Sequence, residues 1–290
     1  MKKVLFFVIM IAFSFSVFSQ DEAPTVQELN DFFNTQTYIV LDPNPTSSYN
    51  IRLKEAIKNS WDITDYEFIE RNEFEEMRSN PDHFFLIPNF VVFERDKTKV
   101  RYRFLSLLKG DRKNNLKQMT SLSALPLSYR QVDEDYWVYK LDVVVRFMQR
   151  HLENMKQDSD IIEEDLDYYE KNLEDIKDKT LYLIEDELAE EVNTREKIEE
   201  YYPFPFKLVS RDELKQAIKE KREDVVFLHK VGPQGTRYRA RCYKILMGIE
   251  DARMYYFDYH NIKKGRRPDG LLAKDLRKIK TKAEGGIFIF

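Results

Sequence analysis

Thr37-Tyr38-Ile39-Val40-Leu41 returns in kind as Thr180-Leu181-Tyr182-Leu183-Ile184, and this pair of strand-forming stretches decides the fold. Working outward from each, the matches continue in the same order. Tyr66-Glu67-Phe68-Ile69-Glu70-Arg71-Asn72-Glu73-Phe74 parallels Phe206-Lys207-Leu208-Val209-Ser210-Arg211-Asp212-Glu213-Leu214. Arg101-Tyr102-Arg103 leading to Gly110 parallels Arg237-Tyr238-Arg239 leading to Gly248. A spacing of well over a hundred residues is too long for a solenoid repeat and suits a small domain copied and fused.

Each copy opens on a capped helix. Thr25-Val26-Gln27-Glu28 after Pro24 is a capping box, and Asp160-Ile161-Ile162-Glu163 offers the same chemistry. A strand follows, then a helix at about 49–61 or 188–201, a short strand at 66–69 or 206–209, and a helix capped by Asn72 or Asp212. The hairpins pair 84–93 with 99–108 and 225–231 with 236–247, turning at Glu94-Arg95-Asp96-Lys97-Thr98 and at Gly232-Pro233-Gln234-Gly235. A last strand at 136–141 or 254–259 precedes a helix at 143–155 or 271–279, and the stretch from Gly110 to Gln131 reads as an extra polar loop. The order α-β-α-β-α-β-β-β-α predicts an α/β fold of α+β character: two tandem similar domains, each a small mixed sheet with flanking helices. The expected boundaries are a signal peptide over 1–19, a first repeat over 20–157 and a second over 158–290, each repeat closing its own apolar interior. The terminal Gly286-Ile287-Phe288-Ile289-Phe290 reads as an edge strand or tail.

The signal peptide is read from Lys2-Lys3, the apolar run from Val4 to Phe18 and the small residue Ser19. Cleavage after Ser19 is expected to release a soluble periplasmic or extracellular protein with no transmembrane span. The single cysteine, Cys242, excludes an intramolecular disulfide and reads as a buried structural thiol in a strand. Charge is uneven along the chain. Acids outnumber bases about threefold between 153 and 200, and bases outnumber acids about threefold between 230 and 282. In an exported chain of net charge −4 this points to solvated faces, or one region answering the other, rather than to nucleic acid.

Catalytic motifs are missing from the sequence. His83, His151, His229 and His260 form no pair one helical turn apart, so no metal site is expected. The eight glycines make neither a nucleophile elbow nor a phosphate-cradling loop, and no cofactor is expected. The carboxylate runs Glu163-Glu164-Asp165 and Glu185-Asp186-Glu187 read as charged helix faces and turns. The alternating aromatics at 255–259 read as core, and the proline-spaced cluster at 201–206 is the place for an exposed recognition patch.

Two features remain as binding elements. Strand alternation sets Arg101 with Arg103 on one face, and Arg237, Arg239 and Arg241 on another, as rows of forked donors suited to carboxylates or phosphates. The loop Asn261-Ile262-Lys263-Lys264-Gly265-Arg266-Arg267-Pro268-Asp269-Gly270 adds Lys263, Lys264, Arg266 and Arg267. The expectation is a non-catalytic binding or scaffold protein of the cell envelope, engaging another envelope protein or an anionic ligand. One alternative is a helix-mediated homodimer through the stripe Val145, Met148, Leu152, Met155, Ile162, Leu166, Tyr169, Leu173 and Ile176, expected to break at Asp158-Ser159-Asp160. The other is an enzyme of unrecognised type with a cleft between the domains.

Overall fold

The computed structural model describes residues 23–93, 99–112, 115–234 and 239–288, with the side chains at 117 and 165 left aside. The segment read as a signal peptide, the first hairpin turn at 94–98 and the site residue Arg237 lie outside the described residues.

The first half runs α1 (Val26–Phe33), β1 (Thr37–Val40), α2 (Ser48–Ser60), β2 (Tyr66–Ile69), α3 (Arg71–Met77), β3 (Phe84–Val92), β4 (Arg101–Lys109), β5 (Ser121–Tyr129) and α4 (Leu141–Gln157). The second runs α5 (Asp160–Glu164), which continues as a 3-10 helix over Asp165–Asp178, then β6 (Thr180–Leu183), α6 (Arg195–Glu199), β7 (Phe206–Leu208), α7 (Arg211–Lys219), β8 (Val225–Val231), β9 (Arg241–Gly248), β10 (Met254–Asn261) and α8 (Ala273–Ala283). The two successions are the same, and so is the sheet topology: β2-β1-β3-β4-β5 in one and β7-β6-β8-β9-β10 in the other. In each sheet the first strand is flanked by two parallel neighbours, and the rest is antiparallel.

Local chemistry accounts for the helix starts. Thr25 Oγ1 accepts the Glu28 N–H at 3.2 Å while Glu28 accepts the Thr25 N–H at 2.9 Å. Ser210 and Glu213 repeat the box on α7 at 3.2 and 2.8 Å. The cap of that helix, Ser210, therefore lies two residues before the expected Asp212. Glu70, capped by Glu73 at 2.6 Å, likewise replaces Asn72 on α3.

Four further expectations are corrected. The last strand of the first half is not 136–141, which forms 3-10 turns over Glu134–Tyr136 and Val138–Lys140. It is β5, inside the stretch read as a loop. Its serines and Pro126 suggest a loop, but Leu122, Leu125 and Leu127 are buried, and an edge strand tolerates a proline. The helix expected over 188–201 shrinks to α6. The chain before it is bound to α8 instead, through the Ala189 N–H to Leu271 C=O at 3.0 Å and the Ala273 N–H to Glu191 Oε1 at 2.8 Å. The stretch 286–288 forms no strand, while 289–290 lies outside the described residues.

The fourth correction concerns the interior. The largest buried cluster joins Phe84, Tyr102 and Leu105 of the first half to Phe227, Tyr243 and Met247 of the second, with Val144, Phe147 and Met148 of α4. Polar contacts cross the same seam. The Tyr102 hydroxyl donates to the Arg241 C=O at 3.0 Å and accepts its N–H at 2.5 Å. Arg146 donates to the carbonyls of Ile249 and Glu250 at 2.5 and 2.6 Å, and Arg150 to that of Asp251 at 2.8 Å. His229 Nε2 donates to the Pro126 C=O at 2.9 Å. The two sheets are alike in plan and share this largest cluster, while each half also keeps a smaller apolar cluster of its own, around Val40, Phe74 and Phe85 in the first and around Leu181, Tyr202 and Leu276 in the second.

Candidate functional site

The sheet registers decide where the arginines fall. Thr37 lies opposite Phe84, and Phe84 opposite Lys109; Thr180 lies opposite Val225, whose carbonyl receives the Ile249 N–H. Lys109 and Ile249 are therefore equivalent. Counting back the same distance along β4 and β9 sets Arg101 against Arg241, Tyr102 against Cys242 and Arg103 against Tyr243. The match of Arg101-Tyr102-Arg103 to Arg237-Tyr238-Arg239 is out of register, and only one arginine of each row is structurally repeated.

Arg103 is tied into the first half. Its guanidinium lies 3.4 Å from Glu134 and 3.9 Å from Asp42, over the rings of Trp137, Phe90 and Tyr49 at 5.4, 5.4 and 5.6 Å. Glu134 also accepts the Tyr49 N–H in the first turn of α2, at 3.0 Å. This group fills the space beyond the carboxyl end of β1.

The remaining described cations gather at one end of the second sheet. Arg101 is exposed at the start of β4, one residue before Tyr102, whose hydroxyl holds the Arg241 backbone. Arg241 stacks over Phe93 at 3.5 Å and Tyr259 at 5.0 Å. Arg239, exposed and with φ +69°, donates its N–H to the Ile262 C=O at 3.3 Å, which joins it to the basic loop. There Lys263, Lys264, Arg266 and Arg267 are exposed on a turn closed by a Lys263–Arg267 bridge, with Gly265 at φ +70°.

The foot of this loop is pinned. His260 Nε2 donates to the Pro268 C=O at 2.7 Å, and Lys230 pairs with Asp269. The Gly270 N–H reaches Cys242 Sγ at 3.4 Å. Gly270 has φ +114°, and a Cβ there would lie 2.7 Å from the Ala189 nitrogen, so only glycine fits. Burial, together with the Lys244 charge, lowers the His260 pKa to about 4 and keeps the ring neutral at pH 7. Burial, with Asp269 nearby, pushes the Cys242 thiol up to about 12, as expected of an unreactive structural cysteine.

A second place was not singled out from sequence. Between the halves lies a cavity of about 230 Å³, with Tyr129, Tyr136 and Trp137 on the first-half side and Glu187, Arg211 and Lys230 among its second-half lining. Glu187 follows the carboxyl end of β6, and Lys230 and Val231 close that of β8. The cavity thus opens where the chain leaves β6 for β7 on one side and β8 lies on the other, the topological switch point of a doubly wound sheet. In the first half the corresponding space is the one Arg103 and Glu134 occupy.

Charges surround the cavity in pairs. Lys140, 1% exposed, donates to Glu187 Oε1 at 3.0 Å and to the Leu228 C=O at 3.3 Å. Burial works against its charge, yet Glu187 and Tyr139 together outweigh burial and raise the Lys140 pKa. Arg211 makes two hydrogen bonds to Asp186, at 2.8 and 3.0 Å, and stacks 4.1 Å over Tyr136. Glu187 Oε2, Arg211 Nε and Trp137 Nε1 are buried without a hydrogen-bond partner. Nothing local in the sequence marks these residues, because four separate segments contribute them.

Among the described residues, no group of three histidine, cysteine or acidic side chains is placed to hold a metal ion. No described helix is long and apolar enough to cross a membrane. The fold and its sites define a mixed α/β protein of two similar five-stranded sheets whose largest buried cluster is shared. No protein-family model, curated protein or solved structure matches the chain.

Proposed function

We propose that this is an exported, non-catalytic binding or scaffold protein of the cell envelope, and that it engages an acidic protein partner through the basic loop. One observation carries the reading: Lys263, Lys264, Arg266 and Arg267 are exposed on a turn whose foot is fixed by His260, Lys230 and Cys242. Cations held on a rigid turn meet a partner with little ordering cost, which favours binding. Arg239, Arg241 and Arg101 extend the same basic end. Export rests on the sequence of the first nineteen residues.

The helix-mediated homodimer has less support. α4 ends at Gln157, and Met148, Leu152, Met155, Leu166, Tyr169, Leu173 and Ile176 are buried within the chain, leaving that stripe no seam to offer.

The test is capture from envelope extract with the mature protein and with a variant carrying Lys263→Ala, Lys264→Ala, Arg266→Ala and Arg267→Ala. A partner held at low salt, released as salt rises and missed by the variant is the expected result. Equal capture by both proteins would refute the reading.

A further inference from the structure

We propose that the cavity between the halves binds a free α-amino acid with an aliphatic side chain, a function separate from the basic loop. Position is the first argument. In open sheets with parallel central strands, ligands bind beyond the carboxyl ends of the strands at the switch point, and this cavity lies at that point of the second sheet. The equivalent crevice of the first sheet is closed by Arg103 and Glu134, so the duplication leaves one crevice open.

Unsatisfied chemistry is the second argument. Buried polar atoms normally find partners, and those that do not call for an explanation such as a ligand. Three of the cavity's side chains carry such atoms: the N–H donors Trp137 Nε1 and Arg211 Nε, and the acceptor Glu187 Oε2. Trp137 is 5% exposed and Glu187 8%. Two donors suit a carboxylate, with Arg211 supplying the charge, and a carboxylate acceptor suits an ammonium group. The lining carries Asp186 and Glu187 against Arg211 and Lys230, which balances to zero and favours a zwitterion over an ion of either sign.

The walls narrow the class further. Leu127, Val132 and Val231 present aliphatic surface to a side chain. A sugar is disfavoured because the rings it would stack on are already engaged: Arg211 covers Tyr136, and Tyr49 and Arg103 pack against Trp137. The volume of about 230 Å³ admits a single amino acid and little more.

Isothermal titration of the intact mature protein with L-leucine, L-valine and L-alanine tests this. The expected result is saturable one-site binding of at least one of them at concentrations below about 10 mM. N-acetyl-leucine and leucine methyl ester, each lacking one charge, are expected to bind at least about tenfold more weakly. Trp137→Phe keeps the ring and removes the N–H, and Arg211→Gln removes the charge. Each is expected to weaken binding about tenfold or more, with the circular dichroism spectrum unchanged. Glu187→Gln is the poorer probe, because it leaves Lys140 buried without its counter-charge. Absence of binding by all three amino acids, equal binding of the N-acetyl compound, or indifference to both Trp137→Phe and Arg211→Gln would each overturn the proposal. The loop variant with four alanines is expected to bind the amino acid normally, so failure at the loop and failure at the cavity are told apart.

Discussion

Tyr102 sets its hydroxyl between the N–H and C=O of Arg241, so that a single atom satisfies two backbone groups of the other half. Tyr102→Phe leaves both unpaired at a part-buried seam. It is expected to cost about 1–3 kcal/mol, read as a lower urea midpoint at an unchanged m-value, and an unaltered midpoint would contradict that role. Gly270→Ala acts at the foot of the basic loop, where the left-handed backbone and the nearby Ala189 nitrogen both refuse a methyl group. A loss of roughly 1–3 kcal/mol is expected, and a variant of native stability would show that the turn relaxes freely. Titration behaves differently at the buried histidines. Burial lowers His229 to about 3 and His151 to about 4, against 6.5 when the chain is unfolded. The unfolded chain therefore binds more protons below pH 6.5. These rings cost nothing above that pH, and stability falls as pH drops from 6.5 toward 4, at up to about 1.4 kcal/mol per pH unit for each ring. Urea unfolding at pH 7 and pH 5 checks the sign, and His229→Gln should flatten the slope.

Capping shows how far single elements are encoded locally. Thr25 and Glu28 satisfy each other's amides across the first turn of α1, and Thr25→Ala is expected to cost about 1 kcal/mol in thermal or urea unfolding. The same economy made much of the fold legible. β2 and β8 begin and end where their apolar runs do, β1 and β6 fall within a residue of them, and the order of elements was readable through the second half and as far as β4 in the first. β5 was not readable, because Ser121, Ser123, Pro126 and Ser128 give it the composition of a loop. Its pairing comes from β4, and its inward leucines and the Pro126 carbonyl are covered by groups distant in sequence. The arginine rows were misaligned because Arg-Tyr-Arg recurs as a string while the sheet counts by hydrogen-bond register. The basic loop was visible as a run of charge, whereas the cavity was not, since Trp137, Glu187, Arg211 and Lys230 meet only once both halves have folded.

At the scale of the whole molecule, the largest buried cluster serves both sheets, alongside a smaller one in each half. Val144, Phe147 and Met148 of α4 lie in the same buried cluster as residues of both sheets, and large buried side chains of this kind contribute roughly 1.5–3 kcal/mol each. Unfolding is accordingly expected as one cooperative transition, with circular dichroism and tryptophan fluorescence coinciding. Two resolved transitions would mean that the seam is weaker than its packing suggests. A chain ended after Gln157 exposes the apolar face that Tyr243 and Met247 cover, and it is expected to lack a sharp transition. Cys242 lies inside that shared interior, silent toward thiol reagents while β9 stays paired. Its labelling rate under native conditions is therefore a clock for the parting of the two sheets, already wired into the chain without any engineered probe.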